Sequence, residues 1–206
     1  MDPTEPTLQQ LLAVFGQQCD GAVMAFHLAS SNDRRVAALE KILDFAYDDL
    51  VNDRHLNQKH GEDALSVQII KQLKFVAIDA NHDIQVGGHC DILVRARDRF
   101  LWIAEAKIHK SFGWLHKGFL QLSTRFGSAA EGRDHGEIII YCRMAKAGDV
   151  LSRWKDYLLL REPVEICEDR IDNQLWFRTR HTCPSSALYF YTRHRIIPLF
   201  WSPQDR

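Results

Sequence analysis

Residues 90–107, CDILVRARDRFLWIAEAK, hold two apolar segments separated by the short polar stretch Arg97-Asp98-Arg99. Runs rich in Ile, Leu, Val, Phe and Trp on either side of such a stretch read as the two strands of a tight hairpin. A hairpin centred on Asp98 pairs residues whose numbers sum to 196, which sets Asp91 opposite Glu105 and His89 opposite Lys107. Side chains alternate across a strand, so Glu105 and Lys107 share a face with Leu93, Leu101 and Ile103. Ile92, Val94, Trp102, Ala104 and Ala106 take the other face. Both faces are apolar, yet directly opposed residues have Cβ atoms about 4.5–5.5 Å apart, where two carboxylates repel. Something positive is needed between Asp91 and Glu105. A divalent cation fits, because carboxylate oxygens suit Mg²⁺ and Mn²⁺. Lys107, one step along on the same face, is placed to stabilise a developing charge or to help activate a metal-held water. The competing reading is a surface hairpin whose charged residues all face solvent.

The rest of the chain supplies partners for that hairpin. Residues 7–19 read as a short helix, and residues 34–58 carry the helical stripe Val36, Leu39, Ile42, Leu43, Ala46, Leu50 and Val51. A helix over 62–75 has Leu65, Ile69, Ile70 and Leu73 on one face, with acidic residues at its start. Strands are expected over 75–79 and 83–88, and a helix over 114–126 with Leu115, Phe119, Leu122 and Phe126 on one face. EIIIYC (137–142) is a continuous apolar run, the mark of a buried central strand. A helix over 148–160 and two strands, QLWFRTR and ALYFYTRHRIIPLF, complete the chain. Strands interleaved with crossover helices predict an α/β domain with a mixed sheet over 60–206, carrying a helical N-terminal extension over 1–59.

The spacing Asp91, then thirteen residues, then Glu105-Ala106-Lys107 across an apolar hairpin resembles the PD-(D/E)xK nuclease superfamily, the restriction-endonuclease-like fold. The resemblance covers about residues 60–145, where the order α-β-β-β-α-β also fits. Glu62 in HGEDALSVQII stands where that family often carries a glutamate on the helix before the sheet. Gln121 in GFLQLSTRF stands where many members carry a glutamine on the helix after E-x-K. Cys90 replaces the proline of the family's name. The resemblance implies that Asp91 and Glu105 bind Mg²⁺, for which Mn²⁺ substitutes, with the Ala106 carbonyl as an extra ligand and Glu62 completing the shell. Lys107 would orient the hydrolytic water, and Gln121 would lie near the site. The implied reaction is metal-assisted hydrolysis of a phosphodiester, with double-stranded DNA as the expected substrate. For Glu62 the alternative is a carboxylate favoured by the helix dipole.

Lys117, Gln121 and Arg125 fall at i, i+4 and i+8, a stripe that borders the site or covers a solvated helix face. Arg95, Arg97 and Arg99 surround the hairpin turn, with Arg95 offered as a backbone-phosphate contact alongside Lys117 and Arg125. Arg178, Arg180, Arg193, His194 and Arg195 alternate with aromatic residues in the last strands, which either grip nucleic acid or belong to half-buried strands. The ten histidines show no H-x-x-H or H-x-H spacing, so no histidine-based metal site is expected.

Charge locates the partners. Residues 1–63 hold 11 Asp/Glu against 5 Lys/Arg, whereas residues 64–206 hold 16 against 21. A polyanion would meet the second stretch, while the acidic N-terminal helices offer a dimer surface or a seat for a protein partner. No apolar run approaches the ~20 residues needed to cross a bilayer. The first residues lack the basic start of a secretory signal, and five dispersed cysteines suit reduced thiols. The expectation is a cytoplasmic protein with no membrane partner. Two further function classes remain open at this level: a non-catalytic binding or assembly module of the same fold, and a nuclease acting on RNA.

Overall fold

The structure, a computed structural model, describes residues 7, 10, 14, 18–82, 84, 85, 89–126 and 129–204, with backbone alone at 84, 85, 125 and 126. Most of the helix expected over 7–19 lies outside these residues. Of the strand expected over 83–88 only Ile84 and Gln85 are described. The chain divides into two compact units, Met1–Asp48 and Asp49–Arg206. The first holds α1 (Cys19–Leu28) and most of α2 (Asn32–Asn52), which continues past the division. Arg35, 1% exposed, closes the turn between the two helices. Its guanidinium donates to Asn32 Oδ1 and to the Ala29 carbonyl. A 3₁₀ turn, Asn57–Lys59, follows α2.

After that turn, the first helix to lie wholly in the second unit is α3 (Glu62–Phe75), bounded as its apolar period predicts. Its end explains a difference from the expected strand over 75–79. Val76 and Ala77 donate to the carbonyls of Gln72 and Lys74, and Ile78 donates back to Leu73, with Ala77 at φ 59°. That is a Schellman cap built on alanine instead of the usual glycine. With no glycine to mark it, Val76-Ala77-Ile78 looks like the start of a strand. The strand that does form is β1 (Asp79–Asn81).

Short strands β2 (Ile84–Gln85) and β3 (His89–Cys90) pair with each other. β4 (Ile92–Arg95) and β5 (Leu101–Ile108) form the expected hairpin. Asp98 and Arg99 turn it at φ 63° and 59°. Then come α4 (Phe112–Gln121), a π-helical turn (Leu122–Phe126), β6 (His135–Cys142) and α5 (Ala147–Leu159). The chain ends with β7 (Glu165–Asp169), α6 (Ile171–Gln174), β8 (Trp176–Thr182) and β9 (Tyr189–Pro198).

Among the described residues the main sheet has seven strands in the order β1-β4-β5-β6-β9-β8-β7. β5, β6 and β9 run parallel and the remaining neighbours antiparallel, so the α/β class with a mixed sheet holds. β6 sits mid-sheet, where Ile138, Ile139 and Ile140 are fully buried. One face is covered by α4 and α5: Leu93, Ile103, Ile138 and Ile140 cluster with Leu115, Phe119, Leu151 and Trp154. On the other, Ser66 of α3 hydrogen-bonds the Tyr141 hydroxyl at 3.1 Å. Each fully buried Leu, Ile or Phe contributes roughly 1.5–3 kcal/mol relative to exposure. Close packing also reaches the backbone: a Cβ on Gly136 would stand 2.8 Å from the Ile103 carbonyl of β5.

Candidate active site

The hairpin that carries the carboxylates keeps the register read from its sequence. Ile92 pairs with Ala104, Leu93 with Ile103, Val94 with Trp102 and Arg95 with Leu101. The ladder then stops, because the chain bends at Asp91. The Asp91 side chain takes the place of the missing strand: its Oδ2 accepts from the Ala106 amide at 2.6 Å. Continuing the register one step sets Asp91 against Glu105. His89 is not paired with Lys107 on the hairpin ladder. Beyond the bend it pairs with Gln85 in the small β2–β3 sheet.

Glu105 and Lys107 point from β5 toward α4 and are 2% and 6% exposed. A Cβ on Gly118 of α4 would lie 3.0 Å from Lys107 Cγ and 3.5 Å from Glu105 Cγ, so glycine is what lets the helix close over them. The Lys107 ammonium stands 2.6 Å from Glu105 Oε1, 3.2 Å from the Ala106 carbonyl oxygen and 3.9 Å from Asp91 Oδ2. Oxygens of all three residues thus surround one positive group. Glu105 Oε2 is buried with no hydrogen-bond partner among the described residues. Leaving such an atom unmatched costs on the order of 1–3 kcal/mol or more, so a positive partner there would be stabilising.

The electrostatics agree with the geometry. Desolvation, then the charge of Asp91, push Glu105 up to about 7, against the opposing pull of Lys107. Burial also raises Asp91, although its bond from the Ala106 amide and the charge of Lys107 act the other way. Glu62, in the first turn of α3, adds a third carboxylate. Its Oε1 accepts from the Ile108 amide at 2.9 Å and from Trp114 Nε1 at 3.3 Å. Trp114 is a residue that sequence reasoning missed. It anchors Glu62, and the ammoniums of Lys107, Lys110 and Lys117 lie 5.4–5.5 Å from its ring centre.

The structure therefore brings together Glu62, Asp91, Glu105, Ala106 and Lys107. Half-buried Gln121 ends α4, one turn beyond Gly118. Lys117 is exposed on the same helix beside Trp114. The Arg125 side chain lies outside the described residues. Arg95 stands at the other end of β4, four residues and roughly 13 Å from Asp91 at about 3.3 Å per residue.

The basic residues of the last strands serve the fold. Arg178 and Arg180 pair with Glu168 and Glu165 of β7, and Arg193 pairs with Glu137 in the interior. His194 is fully buried between Trp154 Nε1 at 3.2 Å and Thr179 Oγ1 at 2.9 Å. Indole only donates, so Nδ1 accepts and the ring is neutral, in keeping with a pKa pushed down to about 3 mainly by burial.

A second group was invisible to motif spacing. Asp63, His82 and Asp91 each bring one ligand atom to within 4.8 Å of the other two. They come from α3, the residue just after β1 and the bend before β4, so no short sequence pattern joins them. No family profile, curated protein or solved structure matches the chain. Among the described residues no helix is long and apolar enough to cross a membrane.

Proposed function

We propose that the chain is a Mg²⁺-dependent nuclease of the PD-(D/E)xK, restriction-endonuclease-like type. It hydrolyses phosphodiester bonds in double-stranded DNA, in the cytoplasm. The observation that carries the reading is the buried, unmatched Oε2 of Glu105 beside Asp91 and Glu62, with Lys107 as the nearby cation. The donor set fits Mg²⁺ or Mn²⁺, since the side chains that would hold it, Asp91, Glu105 and Glu62, and the Ala106 carbonyl all offer oxygen. When bound, such an ion polarises a phosphodiester oxygen and lowers the pKa of an attached water.

The chain's own groups do the remainder. The Ala106 amide fixes one oxygen of Asp91, and the Ile108 amide and Trp114 indole fix one oxygen of Glu62. Each carboxylate thereby keeps its other oxygen for binding, already oriented. Lys107 gives up its contact with the Ala106 carbonyl as substrate enters, and its ammonium then faces the attacking water and the charge developing at phosphorus. The aliphatic stem of Lys107, packed under Gly118, keeps that ammonium in reach.

The test is incubation of purified protein with supercoiled plasmid in Mg²⁺, Mn²⁺ or EDTA, alongside Lys107→Ala. Metal-dependent nicking that the variant loses is the expected result. No cleavage together with no rise in melting temperature on adding Mg²⁺ or Mn²⁺ would remove the site as drawn.

A further inference from the structure

His82 directly follows β1, beside Asp63 in the first turn of α3. Its Nε2 is shielded from solvent, has no hydrogen-bond partner among the described residues, and lies 3.7 Å from Asp63 Oδ1. That distance is too long for a hydrogen bond, yet two ligands of one ion are commonly that far apart when each sits about 2.0–2.2 Å from it. Asp91 completes the group, with every ligand atom inside 4.8 Å. Asp91 has one oxygen committed to the Ala106 amide and also faces Glu105. One carboxylate can therefore belong to both groups of ligands.

We propose that Asp63, His82 and Asp91 form a second cation site, separate from Glu105, that takes a divalent transition ion of the Mn²⁺ class. The donor set decides the class. Mg²⁺ prefers oxygen and gives up its waters reluctantly, whereas an imidazole nitrogen beside two carboxylates favours a first-row transition metal. Residues 63, 82 and 91 lie on three segments that meet at the α3 N-terminus and the start of β4, so the site assembles only in the folded chain. The proposal rests on the nuclease reading only through Asp91, which the two sites share.

The test is a count of bound Mn²⁺, read from the electron paramagnetic resonance signal of free Mn²⁺. It uses the full chain stripped with EDTA, as wild type, His82→Ala, His82→Gln and Glu105→Gln. Melting in EDTA verifies that each variant is folded, and His82→Gln keeps a polar side chain should alanine loosen the site. Wild type should bind two ions. Each His82 variant should lose one, or weaken it tenfold or more, and Glu105→Gln should retain the His82-dependent ion. Excess Mg²⁺ should displace the other ion first.

The proposal is overturned if both His82 variants bind as many ions as wild type with affinities within twofold. A single ion abolished by Glu105→Gln alone also overturns it, and leaves the nuclease site standing. A single ion abolished by His82→Ala and untouched by Glu105→Gln does the reverse.

Discussion

At Glu105 a carboxyl group 2% exposed faces Asp91 and Glu62, and its pKa rises to about 7 although Lys107 lies 2.6 Å away. A raised acid favours the fold most when protonated. Its contribution is full below the unfolded value near 4.5 and is lost as pH climbs through about 7. In EDTA, the melting temperature of wild type relative to Glu105→Gln should therefore fall between pH 4.5 and 7. Metal binding needs the ionised carboxylate, so the stabilisation by added Mg²⁺ should grow across the same window. Thermal melts at four or five pH values, with and without Mg²⁺, read both trends. A flat difference between wild type and variant would mean that Glu105 titrates normally. The hairpin register was legible in the sequence because a three-residue turn fixes it, and register alone brings 91 toward 105. Trp114 and His82 were silent because a tryptophan after a turn and a single histidine carry no spacing signal.

The elements that were legible are those whose burial is periodic. α3, β6, β8 and β9 lie where their apolar patterns place them, and β6 is the central strand that Ile138-Ile139-Ile140 predicts. β7 was missed for the converse reason. All five of its residues are exposed, and it is held to β8 by ion pairs from Glu165 and Glu168 instead of by an apolar face. The start of β1, expected at 75 and found at Asp79, was misread because Ala77 occupies a left-handed position without the glycine that usually announces it. An L-residue there costs roughly 1–2 kcal/mol, part of which glycine gives back as chain entropy. Ala77→Gly should therefore stabilise the protein by up to about 1 kcal/mol with activity unchanged. Denaturant melts measure it, and a destabilised variant would show that Ala77 contributes packing that outweighs its strain.

For the whole molecule, charge is the feature that a polyanion would read first. The surplus of basic residues over 64–206 includes Lys110 and Lys117, exposed on either side of Trp114 and next to the carboxylates. Several of the arginines that also contribute are tied up in ion pairs, so these two exposed lysines matter more than the net count suggests. DNA affinity should fall steeply with salt, and Lys117→Ala should lower the slope of log affinity against log salt by about 1. Fluorescence anisotropy with a labelled duplex in Ca²⁺, between 50 and 200 mM salt, gives that slope. An unchanged slope would take Lys117 off the path of the nucleic acid.

Under the proposed function, the buried carboxylate of Glu105 holds a metal that supports hydrolysis of phosphodiester bonds. The most direct measurement is the rate of plasmid nicking in Mg²⁺ by wild type and Glu105→Gln, both verified as folded by melting in EDTA. The expected result is cleavage by wild type and a loss of about 100-fold or more in the variant, beyond the 10–100-fold typical of groups that merely support a metal ligand. Equal rates in the two proteins, or wild type that cuts in no divalent metal, would contradict it.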